Sequence, residues 1–179
     1  MEKEKLIGDY TIDNIYDALK DKDEYTRLVA YRMLGFTKKA LKDKDSQIRL
    51  EAYGKLNYTK NAFTDKDKDI RLEAYRVLGF TKKSLKDKDN YIRQEAYRKL
   101  GYTKEAFSDK YDSIRIEAYE VLGYTKKALT DEYWFIRLKA YRYLGFTKEA
   151  LADKSDSVRE EAELYFKIKK ALKWKKKNS

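Results

Sequence analysis

The chain has 179 residues, with 42 Lys and Arg against 31 Asp and Glu, a formal charge of +11, and neither Cys nor His. Without thiols or imidazoles it has no disulfide framework, no thiol nucleophile and none of the usual general-base and zinc-ligand sets, and it has no Gly-rich phosphate loop. The opening MEKEKLIGDY is too charged for a signal peptide and no stretch approaches a membrane span, so the expectation is a cytoplasmic, non-enzymatic protein with no metal, cofactor, small-molecule substrate or membrane partner.

After ten polar residues, Thr11 begins TIDNIYDAL, where Ile12, Ile15, Tyr16 and Leu19 share one helical face; residues 1–17 read as an N-terminal cap. From Ala18 a 22-residue pattern repeats seven times without insertion. Asp21, Asp43, Asp65, Asp87, Asp109, Asp131 and Asp153 hold one register, and Arg27, Arg49, Arg71, Arg93, Arg115, Arg137 and Arg159 another. A period of this kind marks stacked supersecondary units, none able to bury its apolar face alone. The predicted fold is all-α, a right-handed α-solenoid of two-helix repeats forming one domain over 1–179. Residues 18–149 make six regular repeats, 150–174 a C-terminal capping repeat and 175–179 a basic tail.

Within a repeat, Asp45 and its equivalents Asp23, Asp67 and Asp89 are placed to cap a helix of about three turns that ends at a Leu such as Leu56. Gly35, Gly79, Gly101, Gly123 and Gly145 follow as left-handed stops, with Asn57 in the second repeat. Thr37 is then predicted to cap a very short second helix, with Phe36 and Leu41 as its hydrophobic staple. In the third repeat Ile70, Ala74 and Leu78 form a central stripe widened by Leu72 and Tyr75, leaving Asp69, Glu73 and Arg76 outward. The seventh repeat lacks the Gly and the Thr, so its two helices are expected to fuse from about Asp156 to Trp174.

The pattern L-K-D-K-D-x-x-I-R-x-E-A-x-x-x-L-G, as at Leu41–Asn57 and Leu85–Gly101, resembles the HEAT-like repeat in its bacterial short form. Its brief second element is also similar to the leucine-rich variant repeat. The resemblance covers about nine-tenths of the chain and implies a protein-binding scaffold, with a minority of such families binding DNA and some acting as alkylpurine DNA glycosylases. The iron–sulfur cluster associated with leucine-rich variant proteins does not carry over to a chain without Cys, and Tyr at positions 31, 53, 75, 97, 119 and 141, often Ala in HEAT-like units, adds bulk between neighbours.

The repeated Asp and Arg are most simply partners, each Arg reaching the Asp of its own or an adjacent repeat. Asp65, Asp67 and Asp69 imitate a calcium loop but lack its Gly at position 70 and its closing Glu at position 76. Two surfaces carry the functional expectation. One is Lys38, Lys60, Lys82, Lys104, Lys126 and Lys148, each after the capping Thr, where a cation opposes the helix dipole and a regular ladder could track phosphates. The other is the sixth repeat, where Trp134, Phe135, Lys139, Arg142 and Tyr143 replace the usual polar face with interface-type residues. A protein partner is favoured. The alternatives are nucleic-acid binding through the lysines, an inhibitor docking on a nucleic-acid enzyme, and, lowest, a HEAT-like glycosylase using Asp131 beside Trp134.

Overall fold

The computed structural model describes residues 12–177, with side chains from Asn14 onward. The first eleven residues, including Thr11, and Asn178 and Ser179 of the expected tail lie outside the described residues. Every regular element described is helical. The α-helices are α1 (Ile12–Ala18), α2 (Glu24–Leu34), α3 (Ser46–Leu56), α4 (Lys68–Leu78), α5 (Asn90–Leu100), α6 (Asp112–Leu122), α7 (Trp134–Leu144) and α8 (Asp156–Lys177). Between them lie short 3-10 elements, η1 (Ala40–Lys42), η2 (Lys60–Thr64), η3 (Ser84–Lys86), η4 (Lys104–Ser108), η5 (Lys126–Thr130) and η6 (Lys148–Ala152). The contacts divide the chain into two compact halves, Met1–Ile92 and Arg93–Ser179, with the division inside α5. Each half is a stretch of helical repeat solenoid.

The N-terminal half begins with α1 packed on α2. Ile15 is buried, and with Ala18 it faces Val29, Ala30 and Met33 of the first repeat, whose apolar character thereby finds a cover. Tyr16, about 100° further round the helix, is exposed, so the capping face is narrower than the pattern predicts. Asp23, Asp45 and Asp67 cap their helices as expected, accepting from the N–H groups of Thr26, Ile48 and Ile70. Asp89 accepts from Tyr91 and Ile92 at the start of α5. Ile48, Ala52, Ile70 and Ala74 are fully buried, and Tyr31, Leu28 and Ala40 join the first two of them in one cluster with Phe36 and Leu41 at its edge.

In the C-terminal half the same stripe recurs as Ile114, Ala118, Ile136, Ala140, Val158 and Ala162, all buried. α8 is the fused helix expected of the last repeat, and it continues to Lys177, taking the lysines predicted as tail into its last turn.

The short second helix is wound as a 3-10 turn, closed by bonds such as Ala62 N–H to the Thr59 carbonyl at 2.9 Å; three to five residues suit that tighter winding. Two local details depart from the predicted repeat. Thr37, as predicted, and Thr81 accept the N–H two residues on through Oγ1 at 3.3 Å, but Thr59, Thr103, Thr125 and Thr147 stand at the capping position without a side-chain cap bond, so their backbone carbonyls do the work. The stop residues have positive φ but ψ near 140°, as in Gly79 (φ 94°, ψ 143°), outside the left-handed helical basin and in a region essentially confined to Gly. Asn57 adopts φ 66° and ψ 137° there, a conformation its side chain disfavours.

The stacked rings were only partly foreseen. In each of six repeats the buried Tyr lies flat against the aromatic five residues on: Tyr31 on Phe36, Tyr53 on Tyr58 and Tyr75 on Phe80 in one half, Tyr97 on Tyr102, Tyr119 on Tyr124 and Tyr141 on Phe146 in the other. Phe63 and Phe107 press on the opposite side, at 4.5 Å from Tyr75 and 4.3 Å from Tyr119. The extra bulk of Tyr thus seats the aromatic that follows the stop, ahead of the next 3-10 turn.

Candidate binding surfaces

Much of what repeats without variation is consumed by stacking. Arg49 is typical. Its Nε and Nη2 donate to the two oxygens of Asp65 in the next repeat, at 2.9 and 2.8 Å, and its Nη1 donates to the carbonyls of Asp43 and Lys44 in its own loop at 2.9 and 3.1 Å. Asp65 in turn accepts the N–H of Asp67. One guanidinium therefore fastens its own loop and the following one. The fork recurs as Arg27–Asp43 and Arg71–Asp87 in the N-terminal half and as Arg93–Asp109, Arg115–Asp131 and Arg137–Asp153 in the C-terminal half. In these six forks the Asp partner is the next repeat's, whereas Arg159 of the last repeat pairs with Asp156 of its own helix. For Asp65, burial pushes the carboxyl up, but the Arg49 fork and the Asp67 N–H outweigh it and hold it below the ordinary carboxylate range; for Asp153 the Arg137 fork is the largest influence, with the same outcome.

These bonds bear on the alternatives. Asp65 of the calcium-like triad is held by Arg49 and Asp67 is a helix cap, so two of its three carboxylates already have structural partners. Asp131, the carboxylate of the glycosylase-like reading, has both oxygens on Arg115 and also accepts the N–H of Tyr133.

A second, shallower contact joins neighbouring long helices. Arg32 forks onto Glu51, Arg98 onto Glu117 and Arg142 onto Glu161, each nineteen residues on. Glu117 also accepts from Gln94 and Tyr102; burial raises its pKa, and the Arg98, Tyr102 and Gln94 bonds more than reverse that. At the equivalent place in α6 and α7 the polarity is inverted, with Glu120 meeting Lys139 at 3.6 Å. Lys139 and Arg142, read from the sequence as partner-facing, are thus both engaged in the stack. Lys139 also lies 5.4 Å over the Phe135 ring.

The remaining sixth-repeat residues separate into two places. Trp134 and Phe135 cluster with Tyr133 at the start of α7, with ring centroids 5.6–6.3 Å apart. Tyr133 stands where earlier repeats carry the capping Asp, and α7 has no side-chain cap. Tyr143 lies at the other end of the helix, 68% exposed and 5.8 Å from the Tyr124 ring. Along α7 the set therefore runs from the Trp134 and Phe135 cluster at its start to Tyr143 at its end, with Lys139 and Arg142 between them.

Tyr143 also belongs to a wider set, most of which the sequence does not single out. Leu78, placed in the central stripe by the sequence, is 42% exposed, Leu100, Leu122 and Leu144 are 43–45% exposed, and Val77, Val121 and Tyr143 are 56–68% exposed. The turns η1, η2, η4, η5 and η6 pack on the long helix that follows each of them, which leaves the last turn of the preceding helix less covered. In the C-terminal half this places Val121 and Leu122 of α6 and Tyr143 and Leu144 of α7 at one register on helices in mutual contact. The signal was present as the pair of apolar residues ahead of Gly35, Gly79, Gly123 and Gly145.

The six lysines of the predicted ladder are all exposed, and among the described residues none of them enters a salt bridge. They keep one register within each half, as Lys38, Lys60 and Lys82 and as Lys104, Lys126 and Lys148. Because the turns they open have only three to five residues, the helix-dipole argument loses most of its force there. No helix among the described residues is long and apolar enough to cross a membrane. Comparison with known protein families gives no match for this chain. Comparison with curated proteins gives none either.

Proposed function

We propose that the protein is a non-enzymatic, cytoplasmic helical repeat scaffold of HEAT-like type that binds another protein through the exposed apolar ends of its long helices, with Tyr143 as an anchor. The observation that carries this is the pairing of Val121 and Tyr143, at 63% and 68% exposure, with Leu122 and Leu144 on consecutive helices. Contiguous apolar surface of this kind on a protein otherwise 41% charged is the usual mark of an interaction site, and an exposed Tyr contributes large contact area at small entropic cost. A photo-reactive residue at position 121, activated in the native cell, should yield a discrete cross-linked protein that disappears with Tyr143→Asp and persists with Lys104→Glu and Lys126→Glu. Absence of any cross-link, or its loss in the lysine variants alone, would count against this reading.

A second reading rests on the unpaired lysines and takes nucleic acid as the partner. Duplex affinity should then fall with salt at a log–log slope near −0.9 per phosphate neutralised, and Lys60→Glu with Lys82→Glu should abolish it. No duplex binding at low salt removes this reading and leaves the first untouched.

A further inference from the structure

α8 changes character along its length. Its first half supplies Val158 and Ala162 to the core, whereas every residue from Lys167 to Lys177 is exposed. Those eleven residues, KIKKALKWKKK, contain seven lysines and no acid. Leu164, Ile168 and Leu172 recur every four residues along one side, at 56%, 52% and 63% exposure, and Trp174 is 68% exposed. The helix thus projects as an arm with an apolar stripe and a strongly cationic remainder.

We infer that this arm, Lys167–Lys177, binds the anionic surface of a lipid bilayer, lying along it with Ile168, Leu172 and Trp174 turned into the interface. This departs from the expectation of no membrane partner drawn from the sequence. At a rise of about 1.5 Å per residue the arm is roughly 16 Å long, half of what a span requires, so it adsorbs and does not cross. A basic amphipathic helix with an aromatic at its edge has the make-up of an interfacial helix, its attachment combining buried apolar area with attraction to acidic headgroups.

Three observations favour lipid over the other anionic or apolar occupants. A second copy would bring fourteen lysines into one seam, from the seven in each arm. Nucleic acid offers no apolar layer for Ile168 and Leu172. Against a shaped acidic protein groove stands the choice of cation. Elsewhere this chain forks Arg onto carboxylates at most places where neighbouring repeats are joined in register, as in Arg49–Asp65 and Arg142–Glu161, with Lys139–Glu120 the exception, and the arm uses Lys alone. Arg suits fixed bidentate recognition, while Lys is a flexible point charge on an apolar stem that suits a fluid surface of many equivalent anions. Lys167 approaches Glu163 and Lys169 lies over the Tyr165 ring, both toward the body of the helix.

The test is flotation of the full chain with vesicles of phosphatidylcholine containing about one-third phosphatidylserine, against vesicles of phosphatidylcholine alone. The chain should float with the first, less so as salt is raised, and not with the second. Trp134→Phe leaves Trp174 as the sole tryptophan, and its emission should shift to the blue on the anionic vesicles. Lys173→Gln with Lys175→Gln should weaken binding by roughly fivefold per lysine, and Ile168→Ser with Leu172→Ser should abolish the blue shift; all four positions are exposed, so the melting temperature serves as the check that the fold is intact. Failure to float with the anionic vesicles overturns the inference. So does flotation unchanged by either pair of substitutions, or a requirement for the arm's lysines in self-association or duplex binding in place of vesicle binding.

Discussion

Two kinds of cation–carboxylate contact join neighbouring repeats, and they differ in depth. The Arg–Asp forks are sealed, with side chains such as Arg71 and Asp87 each 4% exposed, and they are the same two residues at every step. The Arg–Glu contacts between long helices are open, with Arg142 49% exposed, and there the sequence varies: Gly54 stands in one Arg position and Glu120 with Lys139 reverses the charges. A buried charge left alone costs several kcal/mol, so neither member of a fork can change singly. A solvated pair tolerates loss or exchange. Between these two kinds of contact, invariance therefore goes with burial and variation with exposure.

The widest disturbance acts on several forks at once. Asp43, Asp65, Asp87, Asp109 and Asp153 have folded-state pKa values below the ordinary one, so these carboxylates contribute their full stability above the unfolded-state value near 3.9 and lose it as pH falls through the lower folded-state values. Urea denaturation should show stability flat from neutral pH to about 5, then falling steeply below about 4. Next in size, Arg71→Ala should cost roughly 3–5 kcal/mol by leaving Asp87 buried and unpaired, whereas Arg71→Met with Asp87→Leu should recover most of it. Asn57→Gly should raise stability by about 1 kcal/mol or more, since it removes a side chain from a backbone conformation suited to Gly. Smallest, Lys139→Glu should cost under about 1 kcal/mol, and adding Glu120→Arg should restore it by converting the inverted pair to the common polarity. A double-mutant cycle reads that coupling directly.

Much of the scaffold was legible because burial imposes a period. Arg49 with an Asp and Ile48 and Ala52 as core follow from positions that scarcely vary, Asp45 as cap from one shared by the first four repeats, and the fused last helix from the loss of the Gly and the Thr. Which Asp each Arg reaches was open, because an Arg of that length can reach either loop; the geometry shows one guanidinium serving both, the carbonyls of its own loop and the carboxylate of the next. The binding surface was less legible. Leu78 and Leu144 look like core on a helical wheel, and only the shortness of the 3-10 turns leaves them bare. Lys139 looked like a gained interface cation until paired with Glu120, nineteen residues earlier, where the compensating reversal could have been read from the sequence itself.

Side-by-side urea denaturation of Arg115→Ala and Tyr143→Ala measures most directly whether the repeated residues build the stack and the exposed ones are spare. The expected result is a loss of roughly 3–5 kcal/mol for Arg115→Ala, which strands buried Asp131, and a change within about 0.5 kcal/mol for Tyr143→Ala. A mild effect at Arg115 together with a severe one at Tyr143 would contradict the account, making Tyr143 part of the core and the Arg115 fork dispensable.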